Sequence, residues 1–226
     1  VSELICEQVE VAVVDIAQSR QPEARSRETG GRPSTERAAQ ETPMFRLGAN
    51  NDMSTQSNVT VRPVLSLRDK HRFVRFTREL YGDDPHFRPQ LDLMVFEQLS
   101  PRHNPWFEHG DAQLYLAFRG DRVVGRISAQ VDYEHLKHHE DGAGFFGFFE
   151  VEDDPEAAEA LLRTAEDWCR SKGMERIRGP FSFSINEQSG TLVEGFDCPN
   201  YIMMPHGRPY YDRLLSDAGY EQEMDL

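Results

Sequence analysis

Few features of this sequence belong to metal-binding, nucleic-acid-binding or membrane-spanning proteins. Its three cysteines, Cys6, Cys169 and Cys198, lie far apart in 226 residues. No CxxC or Cys/His pair has zinc spacing, which argues against a zinc module. An odd cysteine count without a disulfide framework points to a reducing, cytoplasmic setting. Positive charge is scarce: Lys and Arg number 25 against 39 Asp and Glu, giving a formal charge of −14. Nucleic acid is therefore not expected as a partner, because phosphate binding needs clustered cations. The basic stretch Arg68–Arg78 is interrupted by acids and reads as a solvated helix face. No apolar run approaches the roughly 18 residues of a membrane helix, so no membrane partner is expected. No basic start leads into an apolar run, so no secretory leader is expected. The GxSxG elbow, the Walker loop and the Rossmann glycine fingerprint are all missing.

What is present reads as one folded domain with an extension before it. Residues 1–52 contain a short apolar patch, Leu4 to Ile16, and then a long Arg/Glu/Ser/Gly/Pro-rich stretch. Such a composition buries too little apolar surface to offset the entropy of ordering, so this extension is expected to be disordered. Met53 looks like a natural start, and the domain is expected over 53–226. VTVRPVL (59–65) alternates as a strand. Ser66 offers an N-cap, and Phe73, Val74, Thr77, Leu80 and Tyr81 follow at helical spacing up to Gly82. Residues 90–99 read as a second short helix. QLYLAF (113–118) and VVGRISAQV (123–131) read as strands joined by a tight turn at Gly120-Asp121. That turn also spells RGD, here a hairpin rather than an adhesion signal.

HLKHHEDGAG (135–144) reads as a polar loop. Its residues His135, His138, His139, Glu140 and Asp141 lack regular metal spacing, so no metal is expected there. Phe145 to Val151 is an apolar run of strand length, expected to be buried on both faces. Asp153 and Asp154 can cap the next helix, and Pro155 suits its first turn. An apolar stripe from Ala158 to Cys169 carries that helix to Gly173. A strand is expected within 174–183, an irregular stretch over 184–206, a helix over 208–219 and a last strand from Tyr220. The strand-helix-strand unit in the middle should make its two strands parallel neighbours.

The order β-α-α-β-β-β-α-β-α-β resembles the GNAT N-acetyltransferase fold, an α/β class with a mixed central sheet and helices on both faces. PYYDRLLSDAGYEQEMD is similar to the helix, Gly-aromatic pair and strand that close GNAT chains. FFGFFEVEDD, GPFSFSINEQSG and PYY also look like a bacterial family of uncharacterised GNAT-like proteins, usually longer than this chain. The resemblance covers about 59–226, so the domain would be truncated at its C-terminal end.

The resemblance implies an N-acyltransferase that uses acetyl-CoA or another acyl-CoA on a small-molecule amine, with no metal and no fixed oligomeric state. Two other functions are compatible with it: a non-catalytic ligand- or partner-binding module, and a nucleotide pyrophosphohydrolase. The implied coenzyme contacts fall on Phe149, Val151, Ala157 and Ala158, where the family has a glycine-rich pyrophosphate loop. This sequence has instead six acids from Glu150 to Glu159, no glycine and no cation. Carboxylates near a diphosphate repel it by roughly 1 kcal/mol per close pair even in water, so the loop is degenerate.

Glu150, at the end of the Phe strand, is either a general base for an amine or a solvated acid at a strand end. The family's acidic Tyr falls at Leu215 by motif count; Tyr211 lies one turn earlier on the same face, as the general acid or as a packing residue. Ser184, Asn186, Glu187 and Tyr210 complete the set as substrate contacts.

Overall fold

The computed structural model describes residues 8–16, 58–201 and 204–225. Its strands are β1 (Gln8–Asp15), β2 (Val59–Pro63), β3 (Gly110–Arg119), β4 (Arg122–Asp132), β5 (Ala143–Val151), β6 (Arg176–Gly179), β7 (Thr191–Glu194) and β8 (Glu221–Asp225). The helices are α1 (Leu67–Leu80), α2 (Asp92–Gln98), α3 (Tyr133–His139), α4 (Pro155–Ser171) and α5 (Tyr211–Asp217), with a short 3₁₀ turn at Pro105–Glu108. The strands form one sheet in the order β2-β3-β4-β5-β6-β1-β7, and β8 adds to β1. β2 to β5 are antiparallel neighbours, whereas β5 and β6 run parallel, as a crossover through α4 requires.

The local signals act as expected at several points. Ser66 caps α1 by accepting a hydrogen bond from the Asp69 N–H. Asp154 caps α4 by accepting from Ala157, with Pro155 in the first turn. Gly120 supplies the positive φ, 61°, of the β3–β4 hairpin. The stripe on α4 buries Leu161, Leu162, Ala165 and Cys169 completely. Each such leucine contributes roughly 1.5–3 kcal/mol by burial.

Three expectations are corrected. Within the extension, Gln8–Asp15 is a strand rather than disordered chain. It pairs with β6, β7 and β8, and Val11 and Ile16 are 1% exposed. An alternating segment too short to fold alone becomes stable once both of its edges are paired. The rest of the expected extension lies outside the described residues. The polar loop at 135–144 contains α3, because Asp132 accepts hydrogen bonds from the N–H groups of Glu134 and His135 and starts a helix there. The irregular stretch 184–206 contains β7, held by β1, a partner that the disorder expectation had removed.

Strand β5 sets up the site. Simple alternation would place Phe146, Phe148 and Glu150 on one face. Phe148 instead takes φ 47°, and the register with β4 shifts between Arg126 and Ser128. This bulge changes the phase of the strand. Phe146, Phe149 and Val151 now share the cluster beneath α4 and α5, while Phe148 joins Phe73, Val74 and Val95 from α1 and α2. Glu150 moves with Phe148 and pairs across the strands with Arg126.

Candidate functional site

The sheet opens where β5 and β6 part. Their ladder covers Ala143 to Phe145, and one more bond runs from the Phe181 N–H to the Phe146 carbonyl. Gly147 permits that approach: a Cβ there would stand 1.7 Å from the Phe181 oxygen. Beyond it the chain at 181–190 leaves the sheet, and the second half of β5 faces a cleft. Phe148, Phe149 and Glu150 line it from β5, Arg126 from β4, and Val74 and Thr77 from α1. Ser182, Gln188, Thr191, His206 and Tyr211 close the opposite side.

Glu150 lies at the centre of a hydrogen-bond network. Its side chain is 12% exposed. One oxygen accepts from the Tyr81 hydroxyl at 2.6 Å and from the Tyr211 hydroxyl at 2.7 Å. The two hydroxyls are 3.2 Å apart, and the Val151 N–H donates to Tyr211 at 3.3 Å. The other carboxylate oxygen stands 3.9 Å from the Arg126 guanidinium. Burial pushes the Glu150 carboxyl above its usual range, although Arg126 and the two hydroxyls act in the opposite direction. Burial and the facing carboxylate raise both tyrosines well above the ordinary phenol range. Arg126 donates to the Phe73 carbonyl at 2.8 Å and lies over the Phe73 ring at 4.9 Å, while its Nε has no protein partner. Tyr81 stacks on Phe87 and meets His206 edge-on. His206 bonds Asp84 at 2.9 Å through Nε2, and its buried Nδ1 has no partner.

Such a centre can accept one proton in a largely dry setting, and the hydroxyls orient the oxygen that takes it. The unpartnered polar atoms of Arg126, His206 and Thr191 leave hydrogen-bonding capacity at the cleft wall.

The acidic turn behind Glu150 is organised differently. Asp154 bonds Arg119 through both oxygens at 2.7 and 2.9 Å, and Glu156 meets the same guanidinium at 2.6 Å. Glu152 pairs with Arg122, and Asp153 with Arg213. The Arg119 hydrogen bond holds Asp154 below the usual carboxylate range. These acids separate into individual arginine pairs instead of converging on one point. Asp154 already takes the Ala157 N–H at the α4 terminus. The turn therefore does not fit a pyrophosphate: it has no glycine, its first free N–H is capped, and its surface is carboxylate.

The residues singled out from sequence fall in separate places. Glu150 and Tyr211 meet directly. Phe149 lines the cleft, but Val151, Ala157 and Ala158 are at most 1% exposed and belong to the core beneath α4. The side chains of these three are spent on packing, and the Val151 and Ala157 N–H groups on internal bonds. The Tyr210 hydroxyl donates to the Val151 carbonyl at 2.9 Å, which fixes α5 to the strand end. Ser184 and Asn186 do not line the cleft; Glu187 edges an adjoining groove.

Ser182, in the polar run 182–189 read as pocket-lining, does line the cleft, whereas sequence reasoning missed Tyr81, Arg126, Thr191 and His206 as site residues. For Arg126 the signal was a cation in the middle of an apolar strand. For Tyr81 it was an aromatic residue at a helix end before Gly82. His135 and His139 stack on one another, and His135 bonds Asp141 at 3.0 Å. No group of three or more potential ligands that could hold a metal occurs among the described residues, and no helix among them is long and apolar enough to cross a membrane.

No family model matches the chain. It is 40% identical over 184 residues to Protein YghO of Escherichia coli (strain K12), covering 81% of this chain and 46% of that protein. It is 40% identical over 174 residues to the Bacterial ceramide synthase of Caulobacter vibrioides (strain NA1000 / CB15N), covering 76% of this chain and 45% of that protein. The chain thus spans about half the length of the curated relatives it matches. Among solved structures, a GCN5-related N-acetyltransferase from Kribbella flavida aligns at 12% identity and TM-score 0.41, over 96% of this chain and 55% of that one. The fold is mixed α/β with a mostly antiparallel central sheet. The parallel β5–β6 pair and the order β2-α1-α2-β3-β4-β5-α4-β6-α5-β8 are those expected from the sequence, with β1, α3 and β7 added.

Proposed function

We propose that this chain carries an N-acyltransferase centre that joins an acyl group to the primary amine of an amino lipid. The observation that carries the proposal is Glu150: a largely buried carboxylate with a raised pKa, held by two tyrosine hydroxyls at the wall of a cleft. An amine attacks only after losing the proton of its ammonium form, and a carboxylate whose pKa is raised by burial is suited to take it. Glu150 passes this first proton to solvent; the amine nitrogen then forms the amide bond to the thioester carbonyl and gives its second proton to Glu150 while the carbon–sulfur bond breaks. The Tyr211 hydroxyl gives its proton to the departing thiolate and receives the one held on Glu150. That relay makes the raised pKa of Tyr211 no obstacle, because no free phenolate accumulates. Arg126 supports the ionised carboxylate beside a hydroxyl pair that donates to it.

The acceptor class follows from the relative named a bacterial ceramide synthase. Ceramide is an amide of a long-chain amino alcohol, the bond that a proton-accepting carboxylate helps to form. The pyrophosphate of a coenzyme A donor does not fit the β5–α4 turn, and no step is assigned to residues there.

A second function, a ligand-binding module without catalysis, is favoured by that same turn. The two separate in one assay: thiol release from acyl-CoA with long-chain amino alcohols, comparing the chain with its Glu150→Gln variant. Amide formation that depends on Glu150 is expected. Folded protein that binds the amine and releases no thiol would leave the binding module in its place.

A further inference from the structure

Beside the cleft runs a second depression that the reacting residues do not use. Leu91 and Met94, with Pro89 and Pro105, form the apolar part of its lining, and polar side chains such as Glu97 and Glu187 complete it. Pro89 and Gln90 line both this groove and the Glu150 cleft, so the two adjoin. This apolar lining is open to solvent. On and beside the short helix α2, Leu91 is 67% and Met94 53% exposed, in a chain with a net charge of −14. The helix itself is held in place from its other sides. Arg78 bonds Asp92 at 2.9 Å and the Gln90 carbonyl at 3.0 Å, Gln98 bonds the Ser182 carbonyl at 3.2 Å, and Val95 and Leu99 are buried. The exposed side chains thus sit on a fixed wall at the mouth of the reactive cleft. A fixed apolar wall that ends at a polar, proton-accepting head site suits a molecule with one polar end and one aliphatic tail.

We propose that this groove binds the unbranched aliphatic chain of the amine acceptor, whose head lies at Glu150. The assignment rests on the transferase function proposed above for the identity of the head group. The chain contact itself is independent of catalysis, since apolar burial requires no proton transfer.

The test is calorimetric titration of n-butylamine, n-hexylamine, n-octylamine and n-decylamine, each below its aggregation concentration. The protein is used in its native form and as the Leu91→Asp/Met94→Asp variant. Both positions are exposed, so the variant is expected to fold, and circular dichroism checks this. Native protein should bind about threefold more tightly for each added methylene. The variant should lose that dependence and keep its butylamine affinity. The matching n-alkanols isolate the tail: they should show the same chain-length slope from a weaker starting point. A slope for alkanols with none for amines would keep the groove and remove the amine head assignment. No slope in either series, or an unchanged slope in the variant, overturns the proposal. A slope with acyl thioesters of increasing length, and none with amines, would also overturn it by giving the groove to the acyl donor.

Discussion

Strand β5 ends in two groups of carboxylates that behave in opposite ways. Glu150 is alone, 12% exposed, surrounded by hydroxyls and aromatic rings, and its pKa is raised by burial. A few residues on, Glu152, Asp153, Asp154 and Glu156 are crowded and nearer to solvent, and arginines neutralise them. The crowd is the more conspicuous in the sequence, yet it serves as a helix cap and a set of surface pairs. Reactivity follows environment and not local density: burial raises the pKa of the lone carboxylate, whereas Asp154, bonded to Arg119, is held ionised.

The largest effect should come from Glu150. Glu150→Gln keeps the shape and both tyrosine contacts but removes the proton acceptor. Turnover is expected to fall by about 100-fold or more, with the variant's thermal unfolding intact. Next come the hydroxyls. Tyr81→Phe or Tyr211→Phe removes a donor that lowers the Glu150 pKa. The alkaline-going limb of the pH–rate profile should therefore move to higher pH, and kcat should drop by about tenfold in Tyr211→Phe.

The contrast also has a thermodynamic form, with opposite signs in the two regions. Glu150 binds its proton more tightly folded than unfolded. Its ionisation costs stability as pH rises from the ordinary carboxylate range through the raised value. Asp154 is the reverse: its contribution is present above the ordinary carboxylate range and is lost as pH falls through its lowered value. Urea unfolding of Glu150→Gln should show a gain over the native chain that grows with pH. Asp154→Ala should show a loss of about 1 kcal/mol from the missing cap, shrinking on acidification. The smallest effect belongs to the outer turn. Glu152→Gln, in an exposed pair with Arg122, should leave turnover within about twofold and stability within about 0.5 kcal/mol. A larger kinetic loss there would mean that the turn takes part in binding the donor.

Much of the frame was legible because local signals and tertiary contacts agreed. Ser66, Asp154 and Pro155 mark helix starts, Gly120 marks a hairpin, and the stripe on α4 marks a buried face. The departures have one physical origin, which is that long-range pairing outweighs local composition. β1 and β7 are too short and too polar at their ends to be read alone, and each is stabilised by the other. The candidate site was half legible. Glu150 and Tyr211 stand at a strand end and a helix start that the resemblance placed together. Their true partners could not be read. Tyr81 is 69 residues from Glu150 in sequence, and the Phe148 bulge that turns Glu150 toward Tyr81 has no composition signal of its own. The burial of Val151, Ala157 and Ala158 was not legible for the complementary reason: a motif position was carried over without the glycines that make its backbone available.

The most direct measurement is the titration of the Glu150 side-chain carboxyl by carbon-13 NMR, with Glu150→Gln assigning the resonance. A carboxyl that stays protonated well above the usual glutamate value of about 4.3, and moves higher still in Tyr81→Phe, is the expected result. Titration at or below that value, unaffected by loss of the tyrosine hydroxyl, would contradict a buried base at this position.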